Sequence, residues 1–140
     1  MPDHSFVSRS FPRVVYGGRM RTLLCLFFGL VALPTLAAEW ALNETDRILD
    51  RQEVDALTAG QTLVFYDDGQ SKYSVGGAYS YTYASGESAF GRYEIEEDGT
   101  VCIIYRNGFS RCDRYVQSGA RIILLTEKGL RFPVRPAAKK

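Results

Sequence analysis

The sequence predicts a mainly β domain, a small antiparallel β-barrel or sandwich of about eight strands with one short N-terminal helix. Three observations carry this. From Gln61 onward, short apolar or aromatic runs alternate with turn residues, the signature of an antiparallel all-β chain. Just before them stands a complete helix-start pattern at Asp50. Within them, Cys102 and Cys112 lie on the two arms of a hairpin centred on "RNG".

The chain has 140 residues and a formal charge of +1. Residues 1–37 read as a leader. From Met20, Arg21 supplies a positive n-region and Leu23 to Leu33 an apolar run of eleven residues. Pro34 ends the run, and small residues follow at Ala37 and Ala38 for cleavage, the pattern of a secretory signal peptide. A membrane span would need about 20 apolar residues. Residues 1–19 carry Arg9, Arg13 and Arg19 without apolar periodicity, so translation is expected to start at Met20. A long basic n-region is the alternative. Cys25 follows Leu24 early in the apolar run, which does not fit a lipid anchor. Export implies a periplasmic or secreted destination in a bacterium, with no transmembrane segment after cleavage.

Residues 38–134 then form one β-rich domain, with 135–140 expected as a disordered tail. The leader takes four of the 17 basic residues and one of the 16 acidic ones, leaving the remainder at −2. That balance gives no reason to expect nucleic acid as a partner. The one histidine, His4, lies in the leader. The domain therefore lacks the base of Ser-His-Asp and Cys-His machinery and the commonest transition-metal ligand. No cofactor and no metal are expected. Carboxylate or tyrosine chemistry is the distant enzyme alternative.

Asp50 is a good N-cap, Glu53 completes a capping box, and Leu49 and Val54 occupy the staple positions. Gly60 suits the C′ position, so a helix is expected from Arg51 to about Thr58. The strands follow as "QTLVFY", "SKYSV", "AYSYTYA", "FGRYEI", "TVCIIY", "FSRCDRYV", "ARIILLT" and "LRFPV". Pro133 marks the last as an edge strand.

The spacing of Cys102 and Cys112 matches neither a C-x-x-C redox motif nor a zinc-ligand set, and an oxidising compartment favours a structural disulfide. Register sharpens this. A two-residue turn at Asn107-Gly108 would pair Cys102 with Asp113, placing the sulfurs on opposite faces. A three-residue loop, Arg106-Asn107-Gly108, pairs Tyr105 with Phe109 and Cys102 with Cys112. The cysteines then form a non-hydrogen-bonded pair with Cα atoms about 4.5 Å apart. The disulfide and the three-residue turn therefore require each other.

Tyr79, Tyr81 and Tyr83 alternate with Ser80 and Thr82 and share one face of a strand. They are either a stacking platform for a sugar, peptide or apolar ligand or a tyrosine-rich core. Alternation alone does not say which face is buried. Glu94, Glu96, Glu97 and Asp98 cluster near a turn, as solvated acidic turns do.

The helix followed by Gly60-x-Thr62, Gly91-x-Tyr93-x-Ile95 and the paired-cysteine hairpin resembles small secreted bacterial β-rich proteins of unassigned function. That resemblance implies an exported β domain and no activity. "SGAR" at Ser118 and "EKG" at Glu127 are also similar to the two inhibitory loop motifs of periplasmic C-type lysozyme inhibitors. This second resemblance implies that Ser118 and Lys128 enter a lysozyme cleft. Ile122 stands where that pattern has a tyrosine, and the segment between the motifs is shorter. The residues together point to an exported, non-catalytic binding or envelope protein stapled by one disulfide. Its expected partner is a cell-envelope protein or a small apolar or sugar ligand, with inhibition of a lysozyme-like hydrolase as the alternative.

Overall fold

The computed structural model describes Trp40 to Ala137. The leader, its signal peptide, Cys25 and residues 138–140 of the tail lie outside the described residues. The elements are β1 (Asp46–Ile48), α1 (Arg51–Thr58), β2 (Thr62–Val64), β3 (Gln70–Tyr73), β4 (Ala78–Thr82), β5 (Ser88–Ile95), β6 (Val101–Tyr105), β7 (Ser110–Ser118), β8 (Arg121–Thr126) and β9 (Arg131–Pro133).

The strands form one antiparallel sheet in the order β2-β3-β4-β5-β6-β7-β8-β9. This up-and-down meander curls into a half-barrel rather than splitting into a two-sheet sandwich. Its two ends touch at a single bridge between Phe65 and Val134. Each of the eight strands expected after Gly60 is present. A ninth, β1, pairs with the C-terminal half of β7 through Ile48 opposite Val116 and Asp46 opposite Ser118. Three residues before a helix cap are too few for alternation to show, so β1 has no signature of its own in the sequence.

The helix begins where its cap dictates. The Asp50 carboxylate accepts from the Glu53 N–H at 2.9 Å, and the Glu53 carboxylate accepts from the Asp50 N–H at 3.0 Å. Val54 and Thr58 are fully buried, and Val54 joins Leu49 in the main core. The helix therefore covers one end of the curled sheet. The other end is formed by four hairpin turns: 65–69, 83–87, 106–109 and 127–130.

Alternation sorts the sheet into faces. Pointing inward are Leu63, Phe65, Ser71, Tyr73, Tyr79, Val101, Ile103, Tyr105, Tyr115 and Leu124, all buried. The interior is tight at Gly91 on β5, where a Cβ would stand 2.3 Å from the Ile104 carbonyl oxygen. On the outside, Val116, Ile123 and Leu125 form a second, smaller cluster covered by Trp40. The strand β8 is thus packed on both faces, which explains its unbroken "IILL" run.

Asp46 and Arg131 tie the Trp40 segment to β9 through two contacts of 2.6 and 3.1 Å. Those hydrogen bonds hold the Asp46 carboxyl far below the usual carboxylate range. The N-terminal part of the expected tail also takes part in the fold. Arg135 N–H donates to the Val64 carbonyl at 2.7 Å, and its guanidinium pairs with Asp68.

Candidate functional site

The cysteine hairpin has the register that the sequence requires. Cys102 faces Cys112 with Cα atoms 4.1 Å apart, and the two form a disulfide. Tyr105 N–H donates to the Phe109 carbonyl at 2.8 Å, closing a loop of Arg106, Asn107 and Gly108. Gly108 sits at φ 84°, a conformation that costs a side-chain-bearing residue 1–2 kcal/mol or so. The disulfide lies on the outer face of the sheet, and both cysteines are partly exposed. It is a staple.

Fixing Cys112 outward fixes Arg111 and Asp113 inward, and there the structure carries a polar cluster that the sequence reading did not single out. Arg111 Nε lies 3.1 Å from Asp113 Oδ2, and Asp113 is completely buried. The contact is ionic rather than hydrogen-bonded, since neither carboxylate oxygen nor the Arg111 Nε has a hydrogen-bond partner. Burial pushes the Asp113 carboxyl up to about 6, with the Arg111 guanidinium opposing. The same guanidinium donates to the Tyr79 hydroxyl at 3.2 Å, which is 2.9 Å from Ser71 Oγ. It also lies 5.5 Å from the centre of the Tyr81 ring and 6.0 Å from that of Tyr105. Deeper in, the Tyr73 and Tyr115 hydroxyls share a 2.7 Å hydrogen bond. Burial raises both well above the ordinary phenol value, so each stays a neutral hydrogen-bonding group.

The three tyrosines of the β4 run share the inward face, yet they differ in environment. Tyr79 is core, with 2 % of its surface exposed. Tyr81 is half-buried and lines a cavity of about 50 Å³ with Phe65, Arg111, Leu124, Thr126 and Phe132. Tyr83, past the end of the strand, is 52 % exposed, its ring 4.9 Å from that of Tyr81. The row is therefore neither wholly platform nor wholly core. It runs from the core to the rim.

The cavity has room for a water or two and not for a sugar or an apolar ligand. Around it the hairpin tips carry exposed apolar side chains. Tyr66, Tyr83, Phe109 and Leu130 are each more than half exposed and come from four different turns. Phe109 leans toward Tyr105, with centroids 6.0 Å apart. Arg111, Tyr81 and Phe132 form the floor beneath these tips.

The remaining candidates lie elsewhere. Ser118 ends β7 at the helix-capped end, and Lys128 lies in the β8–β9 turn at the rim, so the length of β8 separates them. The structure does not bring them together. Asp98 is turned toward Arg114 in an ion pair, with Glu96 and Glu97 beside it on an open surface. Among the described residues no group of three or more His, Cys, Asp or Glu side chains converges. No family model, curated protein or solved structure matches the chain.

Proposed function

We propose that the protein is an exported, non-catalytic binding domain that engages a protein partner of the cell envelope through the rim of its half-barrel. One observation carries the reading. The interior is filled with tyrosines and aliphatic side chains down to a void of about 50 Å³, while the four turns at the uncapped end expose Tyr66, Tyr83, Phe109 and Leu130. The filled interior leaves no room there for a small ligand, and exposed aromatic side chains on separate turns are the usual anchors of a protein interface. The Arg111–Asp113 pair and the tyrosine hydroxyls beneath them hold the floor in one arrangement, so the rings need little ordering on binding.

The test is a paired substitution, Tyr83→Ser with Phe109→Ser, compared with Arg51→Ser at the helix-capped end. The rim pair is expected to abolish stable association with the envelope partner while leaving the melting temperature within a few degrees. Equal association by all three proteins would remove the rim from the account.

A further inference from the structure

The half-barrel closes incompletely, and the open part of its seam is a second feature with a chemistry of its own. Flanking β2, Gln61 and Phe65 each hydrogen-bond toward the β3 side: Tyr73 N–H donates to Gln61 O at 2.9 Å and Phe65 N–H to Gly69 O at 2.9 Å. Because an antiparallel ladder alternates, the N–H and C=O groups of Thr62 and Val64 must point away from β3, into the seam. Only one of these four groups is taken, the Val64 carbonyl, by Arg135 N–H. Pro136 and Ala137 follow Arg135 along the groove and make no backbone hydrogen bond to β2. The Thr62 N–H, the Thr62 C=O and the Val64 N–H have no protein partner among the described residues.

The gap beside these groups is a groove of about 670 Å³ between β2, the C-terminal part of α1 and the start of β8. Its walls include Leu57, Leu63, Ile122 and Val134, with Pro136 and Ala137 along one side and Arg121 at the end nearest the helix. Arg121 has no acidic partner among the described residues, whereas Arg135 on the other side is engaged by Asp68. Unpaired backbone donors and acceptors at strand spacing, between apolar walls, ask for an extended backbone and not for an acyl chain or a helix. A guest strand running antiparallel to β2 would finish at the helix-capped end, beside Arg121.

We propose that this seam is a strand-addition site for an extended peptide ending in a free carboxylate, which pairs with Thr62 and Val64 and places its carboxylate at Arg121. The site is independent of the rim. Its apolar walls would accept alternate small or β-branched side chains, and Arg121 would select the chain end by charge.

The experiment uses the purified protein and the acetylated peptide Thr-Val-Thr-Val as free acid, as C-terminal amide, and with alternate amides N-methylated. Amide NMR shifts and hydrogen exchange are followed at Thr62 and Val64. The free acid is expected to shift and protect both amides. The amide form should bind about tenfold more weakly, the loss of one charge-assisted contact, and Arg121→Glu should weaken the free acid at least to that level. The N-methylated peptide should not bind. Thr62→Pro should abolish binding without unfolding the protein, because the Thr62 N–H is not used by β3. Equal binding of the N-methylated peptide would overturn the proposal in favour of a plain apolar cleft. Protection of Thr62 in the peptide-free protein would also overturn it: the chain's own C-terminal residues fill the seam if that protection is independent of concentration, and a second copy fills it if protection grows with concentration. No shift at either amide up to peptide saturation would overturn it outright.

Discussion

Asp113 is the residue whose behaviour departs most from its sequence appearance. In "SRCDRY" it reads as a surface charge, yet it is fully buried beside Arg111. Its carboxyl is raised to about 6 in the folded protein, against about 3.9 for an unperturbed aspartate. A raised folded-state value means that this group's contribution is fully present below pH 4 and is lost as pH rises through about 6. The difference amounts to something on the order of 2–3 kcal/mol. Asp46 and Asp98 behave oppositely, since hydrogen bonds to their ionised forms hold them low, so their contributions disappear as pH falls below about 4. Thermal melts should therefore show greatest stability near pH 4, declining as pH rises through about 6 and level by pH 7.5. Asp113→Asn should remove that decline, and a variant retaining the wild-type slope would show that the carboxyl titrates normally. The Tyr73–Tyr115 bond offers a second check. Tyr73→Phe leaves a buried hydroxyl without its partner and should cost about 1–3 kcal/mol by denaturant unfolding, whereas Tyr83→Ser at the rim should cost almost nothing.

At the scale of elements, local chemistry decided the helix and the cysteine hairpin, and both were legible. The capping box at Asp50 and Glu53 starts α1 where the sequence places it, and Asp50→Ala is expected to cost about 1 kcal/mol. The odd loop at Arg106-Asn107-Gly108 is required for Cys102 to meet Cys112, and the pairing follows. Replacing both cysteines by serine should destabilise the protein by somewhat under about 3 kcal/mol, because the closed loop is short, and should leave the hairpin register intact by NMR. Gly108→Ala, forced into a left-handed conformation, should cost about 1–2 kcal/mol. What local chemistry could not show was β1, three residues whose pairing with β7 depends on where the sheet curls. The burial of Arg111 and Asp113 was within reach, since the disulfide register that turns Cys112 outward turns its two neighbours inward. The signal missed was parity along β7, obscured by the expectation that charged residues face water.

For the whole molecule, closure of the sheet sets the division between core and rim, and closure is a long-range property. The sequence shows that Tyr79, Tyr81 and Tyr83 share a face, but their different exposures follow from where the barrel end cuts that row. The lysozyme-inhibitor resemblance meets the same geometry. Ser118 and Lys128 lie close in sequence yet are separated by the length of β8, roughly 20 Å for six residues in a strand. The filled interior directs attention to the surface, where Tyr66, Tyr83, Phe109 and Leu130 stand at the end that α1 leaves uncovered, while Val75, Phe90 and Ile104 are exposed singly elsewhere. The most direct test is a photo-crosslinking scan in the native envelope, with a photoreactive phenylalanine placed singly at Tyr66, Tyr83, Phe109 and Leu130 at the rim, and at Arg51, Val75 and Gly119 at the opposite end. The account predicts one discrete protein adduct from the rim positions and none from the others. An adduct from the helix-capped end alone, or equal adducts from both ends, would contradict it.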